Sequence, residues 1–139
     1  MKTNLEEAKE LFESHLELVE KYDISSYNLY DDEALITSTR HNAVSITWNG
    51  KQVRELVGPS VENAKAMNRQ YNFKDIKYVE DGQNIKITGS FDPNTLGQSG
   101  DFTAVIGYNK NDELKILEFH DGQPPENKIR VDEVIIEEE

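Results

Sequence analysis

The chain has 139 residues, enough for one domain with one hydrophobic core. Its 27 acidic and 15 basic side chains give a formal charge of −12, which repels phosphate backbones and anionic membrane surfaces, so we expect no nucleic-acid or membrane partner. No cysteine is present, which excludes disulfides, thiolate metal ligands and a cysteine nucleophile. We therefore predict a single domain over residues 1–139.

The sequence also bears on where the protein resides. No stretch approaches the roughly 18 consecutive apolar residues of a membrane span. The residues after Met1 run directly into a charged segment, without the apolar region of a signal peptide. We expect a cytoplasmic location.

The first predicted element is an amphipathic helix from Thr3-Asn4 to about Tyr22. Thr3 and Asn4 can each cap a helix, and each is followed three residues later by a glutamate. Apolar positions then recur at three- and four-residue intervals, which is the helical period. They are Leu5, Ala8, Leu11, Phe12, His15, Leu16, Val19 and Tyr22. One face of this helix should lie on the core.

The segment after the first helix favours strands. Residues 23–30 can form a short helix or a loop, and Ala34 to Thr39 is rich in the β-branched residues typical of strands. Asn49-Gly50 separates two apolar segments, 43–48 and 51–56, and this pair readily supplies the two positive φ angles of a type I′ turn. We predict a β-hairpin there, with Val44, Ile46, Trp48 and Val53 on one side.

A second helix is predicted to begin at Gly58-Pro59, because proline at the first helical position loses no intrahelical hydrogen bond. The helix should end near Asn72. Its apolar stripe consists of Val57, Val61, Ala64, Met67 and Tyr71.

Two further hairpins follow. Residues 73–80 are predicted to turn at Asp81-Gly82 into residues 83–92, and residues 102–109 into residues 114–120. Alternation predicts that each hairpin buries one face. For the first hairpin that face is Ile76, Tyr78, Ile85 and Ile87; for the second it is Phe102, Ala104, Ile106, Tyr108, Leu117 and Phe119, with Ile116 on the opposite face.

The last segment, residues 123–139, is predicted to add a terminal strand at 128–136. It ends in an acidic tail. The sequence does not indicate a role for this segment.

The order of these elements resembles the NTF2-like superfamily, in particular its SnoaL-like and ketosteroid-isomerase-like small bacterial domains. The matching residues are Tyr30 to Leu35, Gly58, and the segments 85–89, 102–107 and 114–120. The resemblance implies an α+β cone, a curved antiparallel sheet wrapped by the N-terminal and middle helices. It also implies an apolar pocket in the cone and a homodimer formed through the outer sheet face.

Five residues are candidates to line that pocket: His15, Tyr78, Tyr108, Trp48 and Asp31. An imidazole at position 15 that faces the pocket could shuttle protons; the alternative is a core histidine whose ring nitrogens are both satisfied. Tyr and Trp have polar tips that suit a ligand pocket, but they can equally fill a closed core.

Metal chemistry is not indicated. The histidines occur singly, at positions 15, 41 and 120, without the spacing that aims two imidazoles at one ion. We read His41 as a solvated turn residue and His120 as a strand-end residue on the outer face. We expect no metal and no cofactor.

Three functions remain open because the superfamily contains both enzymes and non-catalytic domains. The first is binding of a small apolar ligand, or of a partner, in the cone. The second is a cofactor-free isomerase, dehydratase or hydrolase that uses His15 or Asp31 with tyrosines as hydrogen-bond donors. The third is an acidic interaction or inhibitor protein that captures a basic partner.

Overall fold

The computed structural model describes residues 2–39, 45–66, 71–93 and 100–122. The elements are helix α1 (Leu5–Glu20), a 3₁₀ helix (Ile24–Leu29), strands β1 (Tyr30–Thr39) and β2 (Ser45–Asn49), helix α2 (Gly50–Ala66), and strands β3 (Tyr71–Asp81), β4 (Asn84–Pro93), β5 (Gly100–Tyr108) and β6 (Leu114–Gly122). His41 and the terminal strand predicted within residues 123–139 lie outside the described residues.

The six strands form one curved, unclosed sheet in the order β2-β1-β6-β5-β4-β3. The helices lie on its inner face, so the predicted α+β cone is confirmed. One strand pair differs from the predicted antiparallel arrangement, because β1 runs parallel to β6. A parallel pair joins strands that are distant in sequence, so no local turn signal announces it.

Helix α1 covers the inner face of the sheet. The side chain of Asn4 accepts a hydrogen bond from the backbone N–H of Glu7 at 3.1 Å, which confirms the predicted cap. Phe12 stacks on Phe102 of β5, with ring centroids 5.7 Å apart. Both rings are fully buried, so this contact fixes the helix on the core.

The predicted hairpin at Asn49-Gly50 is wrong, because α2 begins at Gly50. The Asn49 side chain accepts from the backbone N–H of Gln52 at 2.8 Å, and the Gln52 side chain accepts from the backbone N–H of Asn49 at 2.9 Å. This reciprocal pair is a capping box, which starts a helix. Glycine is required at position 50, since a Cβ there would overlap the carbonyl oxygen of Asp31. The predicted helix start at Gly58-Pro59 is therefore wrong, since Pro59 lies inside α2, and the predicted end near Asn72 is wrong because β3 begins at Tyr71.

Strands β3 and β4 are joined through Gly82-Gln83, with Asp81 opposite Asn84. The predicted turn was one residue earlier, at Asp81-Gly82. The observed register differs from the predicted one by two residues, and an even shift leaves each side chain on its predicted face. Ile85 and Ile87 are accordingly buried. The ladder is irregular between Lys74 and Lys77, where Asp75 adopts a φ of 56°.

Strands β5 and β6 contain the second departure from simple alternation. Ala104 lies opposite Phe119, but Ile106 lies opposite Ile116, so Leu117 is an extra residue in β6. Such a bulge reverses the alternation beyond it. Ile116 is therefore fully buried, and the prediction that Leu117 faces the core and Ile116 faces outward is wrong.

The core lies between the inner sheet face and the helices. Its buried apolar members are Ala8, Phe12, Tyr30, Ala34, Ile36, Val53, Val57, Ile85, Ile87, Phe91, Phe102, Ala104, Ile106, Ile116 and Phe119. No helix in the described ranges has the length and hydrophobicity needed to cross a membrane.

Candidate functional site

The interior of the cone contains a buried polar pair, His15 of α1 and Tyr30 at the start of β1. The Nε2 atom of His15 lies 2.9 Å from the hydroxyl oxygen of Tyr30, a hydrogen-bond distance. The two residues are only 2% and 3% exposed. Amphipathic spacing places His15 on the buried side of α1 together with Ala8 and Phe12.

The surroundings of this pair are aromatic. The centroid of the His15 ring lies 5.6 Å from the ring centroids of both Phe12 and Phe119. The Tyr30 ring is edge-on to His15, at 5.3 Å between centroids. Phe119 stacks in turn on Phe102 at 5.8 Å. These rings keep water away from the imidazole, so its electrostatics are those of an apolar interior.

Burial determines the protonation state of both partners. It lowers the pKa of His15 from 6.5 to about 4, because the charged imidazolium loses its solvation. It also raises the pKa of Tyr30 well above its usual value, and Tyr27 and the carboxylate of Asp121 raise it further. The pair is therefore uncharged at neutral pH.

One atom of the pair is unsatisfied. Among the described residues, Nδ1 of His15 has no hydrogen-bond partner, although it is shielded from solvent. Thr3 Oγ1 shares this property elsewhere in the chain. The two ring nitrogens of His15 thus differ, which does not match the alternative of a core histidine with both nitrogens satisfied by nearby groups.

A carboxylate lies on the inner face of the sheet at the end of β6. Asp121 lies opposite Phe102 of β5 and Ser38 of β1. It follows Phe119 by two positions, so strand alternation places it on the inner face. Neither Asp121 nor Tyr30 was among the residues predicted to line the pocket. The signal available for Asp121 was its two-residue spacing from Phe119 in the strand.

The five predicted pocket residues lie in several environments. His15 is in the interior. Tyr78 is half-buried, with its ring edge-on to Phe12 at 6.4 Å between centroids and the Nζ atom of Lys9 5.5 Å from its ring centre. Trp48 packs half-buried on the core from β2. The hydroxyl of Tyr108 donates to the carboxylate of Glu7 at 3.0 Å near the surface, and this bond raises the pKa of Tyr108.

Asp31, the fifth residue, lines a separate open groove of about 280 Å³ at the rim of the cone. The start of β1, Arg54 of α2 and the turn between β5 and β6 form this groove. The Asn109 amide donates to Asp31 at 2.9 Å. Arg54 donates to the carbonyl oxygen of Tyr30 at 3.1 Å and pairs with Asp32. We call this feature the rim groove.

The groove and the rest of the described chain give little support for an inorganic site. No three His, Asp or Glu side chains converge there in a way that could hold a metal ion. His120 is exposed at the end of β6, opposite Thr103 and Thr37. The interior pair is therefore the strongest candidate site.

Comparisons with known proteins place the fold. No protein-family model matches the chain, and neither does any curated protein. Solved structures do match. A proposed dehydratase of the NTF2-like family from Streptomyces avermitilis gives a TM-score of 0.64 at 13% sequence identity, covering 86% of this chain and 94% of that one.

Two other solved structures are similar. An NTF2-like protein with a cystatin-like fold from Novosphingobium aromaticivorans gives a TM-score of 0.62 at 9% identity, covering 94% of this chain and 87% of that one. The beta subunit of the benzoate 1,2-dioxygenase from Burkholderia mallei gives 0.59 at 15% identity, covering 88% and 92%. At these identities the likeness establishes the fold alone, and it confirms the resemblance inferred from the sequence: the chain has the NTF2-like fold.

Proposed function

We propose that this protein binds a small, mainly apolar molecule inside the cone, with the His15–Tyr30 pair as the polar anchor. The observation that carries the proposal is the buried Nδ1 atom of His15, which has no partner among the described residues. A buried polar group without a hydrogen bond costs about 1–3 kcal/mol. A ligand that bonds to this atom would remove that cost.

The walls around the anchor support an uncharged ligand. Ligand sites typically combine apolar and aromatic walls with a few placed polar groups. Phe12 and Phe119 contact the imidazole, and Tyr78 lies at the edge of the same aromatic cluster. An ionised ligand would lose its solvation among these rings.

Titration of uncharged aromatic hydrocarbons and ketones of one and two rings into ¹⁵N-labelled protein tests the proposal. We expect saturable shifts of the amide resonances of residues whose side chains face inward, such as Phe102 and Phe119. Residues whose side chains face outward should shift less. His15→Leu should weaken binding of the ketones, while His120→Leu, an exchange at an exposed position, should leave it intact. The proposal fails if no probe binds, or if the shifts map to the rim groove.

A second candidate function is cofactor-free proton transfer on the same ligand. Asp121 favours it, because this inner-face carboxylate is near enough to Tyr30 to contribute to its raised pKa. A carboxylate base can remove a proton next to a carbonyl group whose oxygen accepts a hydrogen bond, here from the interior pair. One solved neighbour is a proposed dehydratase, which is consistent with this chemistry. Asp31 lies in the rim groove and has no place in this scheme.

The second candidate is tested by measuring the dehydration of 4-hydroxy-4-phenylbutan-2-one through the absorbance of the enone product. Asp121→Asn should lower the turnover by about a hundredfold, the usual effect of losing a general base. Asp31→Asn is the matched control and should turn over at the wild-type rate. Turnover no faster than in buffer, or unchanged turnover in Asp121→Asn, would rule this function out.

The homodimer formed through the outer sheet face stays a prediction from the sequence. The same holds for the capture of a basic partner and for the cytoplasmic location.

A further inference from the structure

The hydrogen-bond geometry of the interior pair constrains which tautomer His15 adopts. A neutral imidazole has one donor nitrogen and one acceptor nitrogen. The hydroxyl of Tyr30 has a single described hydrogen-bond partner, Nε2 of His15 at 2.9 Å. The position of one proton therefore decides what the free Nδ1 atom can bind.

Two arrangements are possible for this proton. In the first, the Tyr30 hydroxyl donates to Nε2, and the imidazole hydrogen is on Nδ1. In the second, Nε2–H donates to the tyrosine oxygen, which leaves the buried Tyr30 hydroxyl hydrogen without an acceptor and Nδ1 without a donor.

The first arrangement is the more stable one. A phenol is a stronger donor than a neutral imidazole N–H, and the unprotonated imidazole nitrogen is a stronger acceptor than a phenol oxygen. The first arrangement joins the strong donor to the strong acceptor, whereas the second leaves both unpaired in the interior. Each buried, unpaired strong group destabilises the folded state. Nδ1 of His15 is thus an N–H donor without an acceptor.

From this we infer that the ligand of the cone is an uncharged molecule that presents an acceptor oxygen, such as a ketone or ester carbonyl, to the Nδ1–H group of His15. The inference rests on the proposed function and gives it a substrate class. A hydrocarbon of the same shape would leave Nδ1–H unpaired. A ligand group that can only donate would face another donor.

The tautomer is measured without any ligand. Long-range ¹H–¹⁵N correlation spectra at neutral pH should show the hydrogen of His15 on Nδ1. Tyr30→Phe removes the donor to Nε2 and should shift the equilibrium toward the Nε2–H form. Tyr108→Phe, which removes a hydroxyl near the surface, should leave the His15 signals unchanged. An Nε2–H tautomer in the wild type would overturn the inference even if the Tyr30 variant failed to fold.

The ligand class is tested with two probes of the same shape. Acetophenone carries a C=O group where α-methylstyrene carries a C=CH₂ group. Water solvates the ketone better, so a purely apolar site would favour the alkene. We expect the wild type to bind acetophenone more tightly by roughly fivefold, since a hydrogen bond contributes about 1 kcal/mol net of desolvation. His15→Leu should reverse this preference.

The outcomes separate the two proposals. Equal or tighter binding of α-methylstyrene by the wild type overturns the carbonyl inference and leaves cone binding standing. Binding of neither probe, together with no binding from the wider panel, overturns the proposed function and the ligand class with it.

Discussion

The cone interior and the rim groove meet at two successive residues of β1, and the two regions treat polar groups in opposite ways. Tyr30 directs its hydroxyl to His15 in the interior, while the carboxylate of Asp31 accepts from Asn109 in the groove. Among the described residues the interior has few buried polar side chains, and His15 and Tyr30 are shielded from water. The groove has many, and the Lys110 and Glu33 side chains there are 79% and 76% exposed.

The difference teaches that burial, more than the number of polar contacts, decides what a polar group contributes. An exposed ion pair contributes about 0–1 kcal/mol because water and salt screen it. A buried polar atom is costly unless it is paired. Function is therefore better sought at the sparse interior pair than at the richly bonded rim.

The largest expected effect is a loss of stability when a core ring is removed from the interior. Phe12→Ala removes a fully buried ring that contacts His15, Tyr78 and Phe102. We expect the free energy of unfolding to fall by about 3–5 kcal/mol, the usual cost of a large core cavity. Urea denaturation measures it, with Leu56→Ala, at a 60% exposed position, as the control. Equal costs for the two variants would contradict the packing of α1 on the sheet.

The second largest effect is a pH dependence of stability that arises from His15 in the interior. The pKa of His15 is about 4 in the folded protein, against 6.5 for the unperturbed group. Between these values the unfolded chain binds more protons, so the contribution of neutral His15 is complete above pH 6.5 and is lost as the pH falls toward about 4. The total loss is about 3 kcal/mol.

Urea denaturation at several pH values between 7.5 and 5 measures this dependence. His15→Leu cannot titrate, so its free energy of unfolding should decline less steeply over that range than the wild-type value. Parallel curves would show that the imidazole is not held neutral by burial.

The smallest effect is expected at the rim. Lys110 and Glu33 pair at 3.2 Å across the groove. A double-mutant cycle with Glu33→Gln and Lys110→Gln should give a coupling energy below about 1 kcal/mol, decreasing with added salt. A larger coupling that salt does not change would place the pair in a far less solvated environment than the exposed fractions indicate.

The sequence predicted the faces of the strands better than their pairing. Alternation identified Ile85 and Ile87 as buried even though the turn before them differs from the predicted one. It failed at Ile116, because the extra residue Leu117 reverses the alternation there. A bulge has no reliable sequence signal, since it depends on the partner strand.

The error at Asn49-Gly50 has a different cause. The same two residues suit a type I′ turn and a helix start, because asparagine can cap a helix and glycine tolerates both conformations. Gln52, three residues after Asn49, completed the capping box and was the signal that distinguished them. Strand propensity in residues 51–56 was overridden by the packing of α2 on β1, with Val53 buried.

The candidate site was only partly accessible from the sequence. Helical periodicity found His15, because its position on the apolar stripe is a local property. Tyr30 became its partner because the packing of α1 on the sheet brings His15 to the start of β1, and the pairing of β6 with β1 and β5 placed Asp121 on the same inner face. These relations join distant segments, and no single-sequence pattern specifies them.

Because the sheet does not close, β3, which ends the described strand order, has an edge that could pair with a strand from another molecule. Flat apolar edges promote such growth into aggregates, but β3 interrupts its own edge. Asp75 bends the backbone with a φ of 56°, and the exposed side chains of Lys74 and Lys77 flank it with charge. The irregularity in the ladder therefore protects an open sheet against edge-to-edge polymerisation.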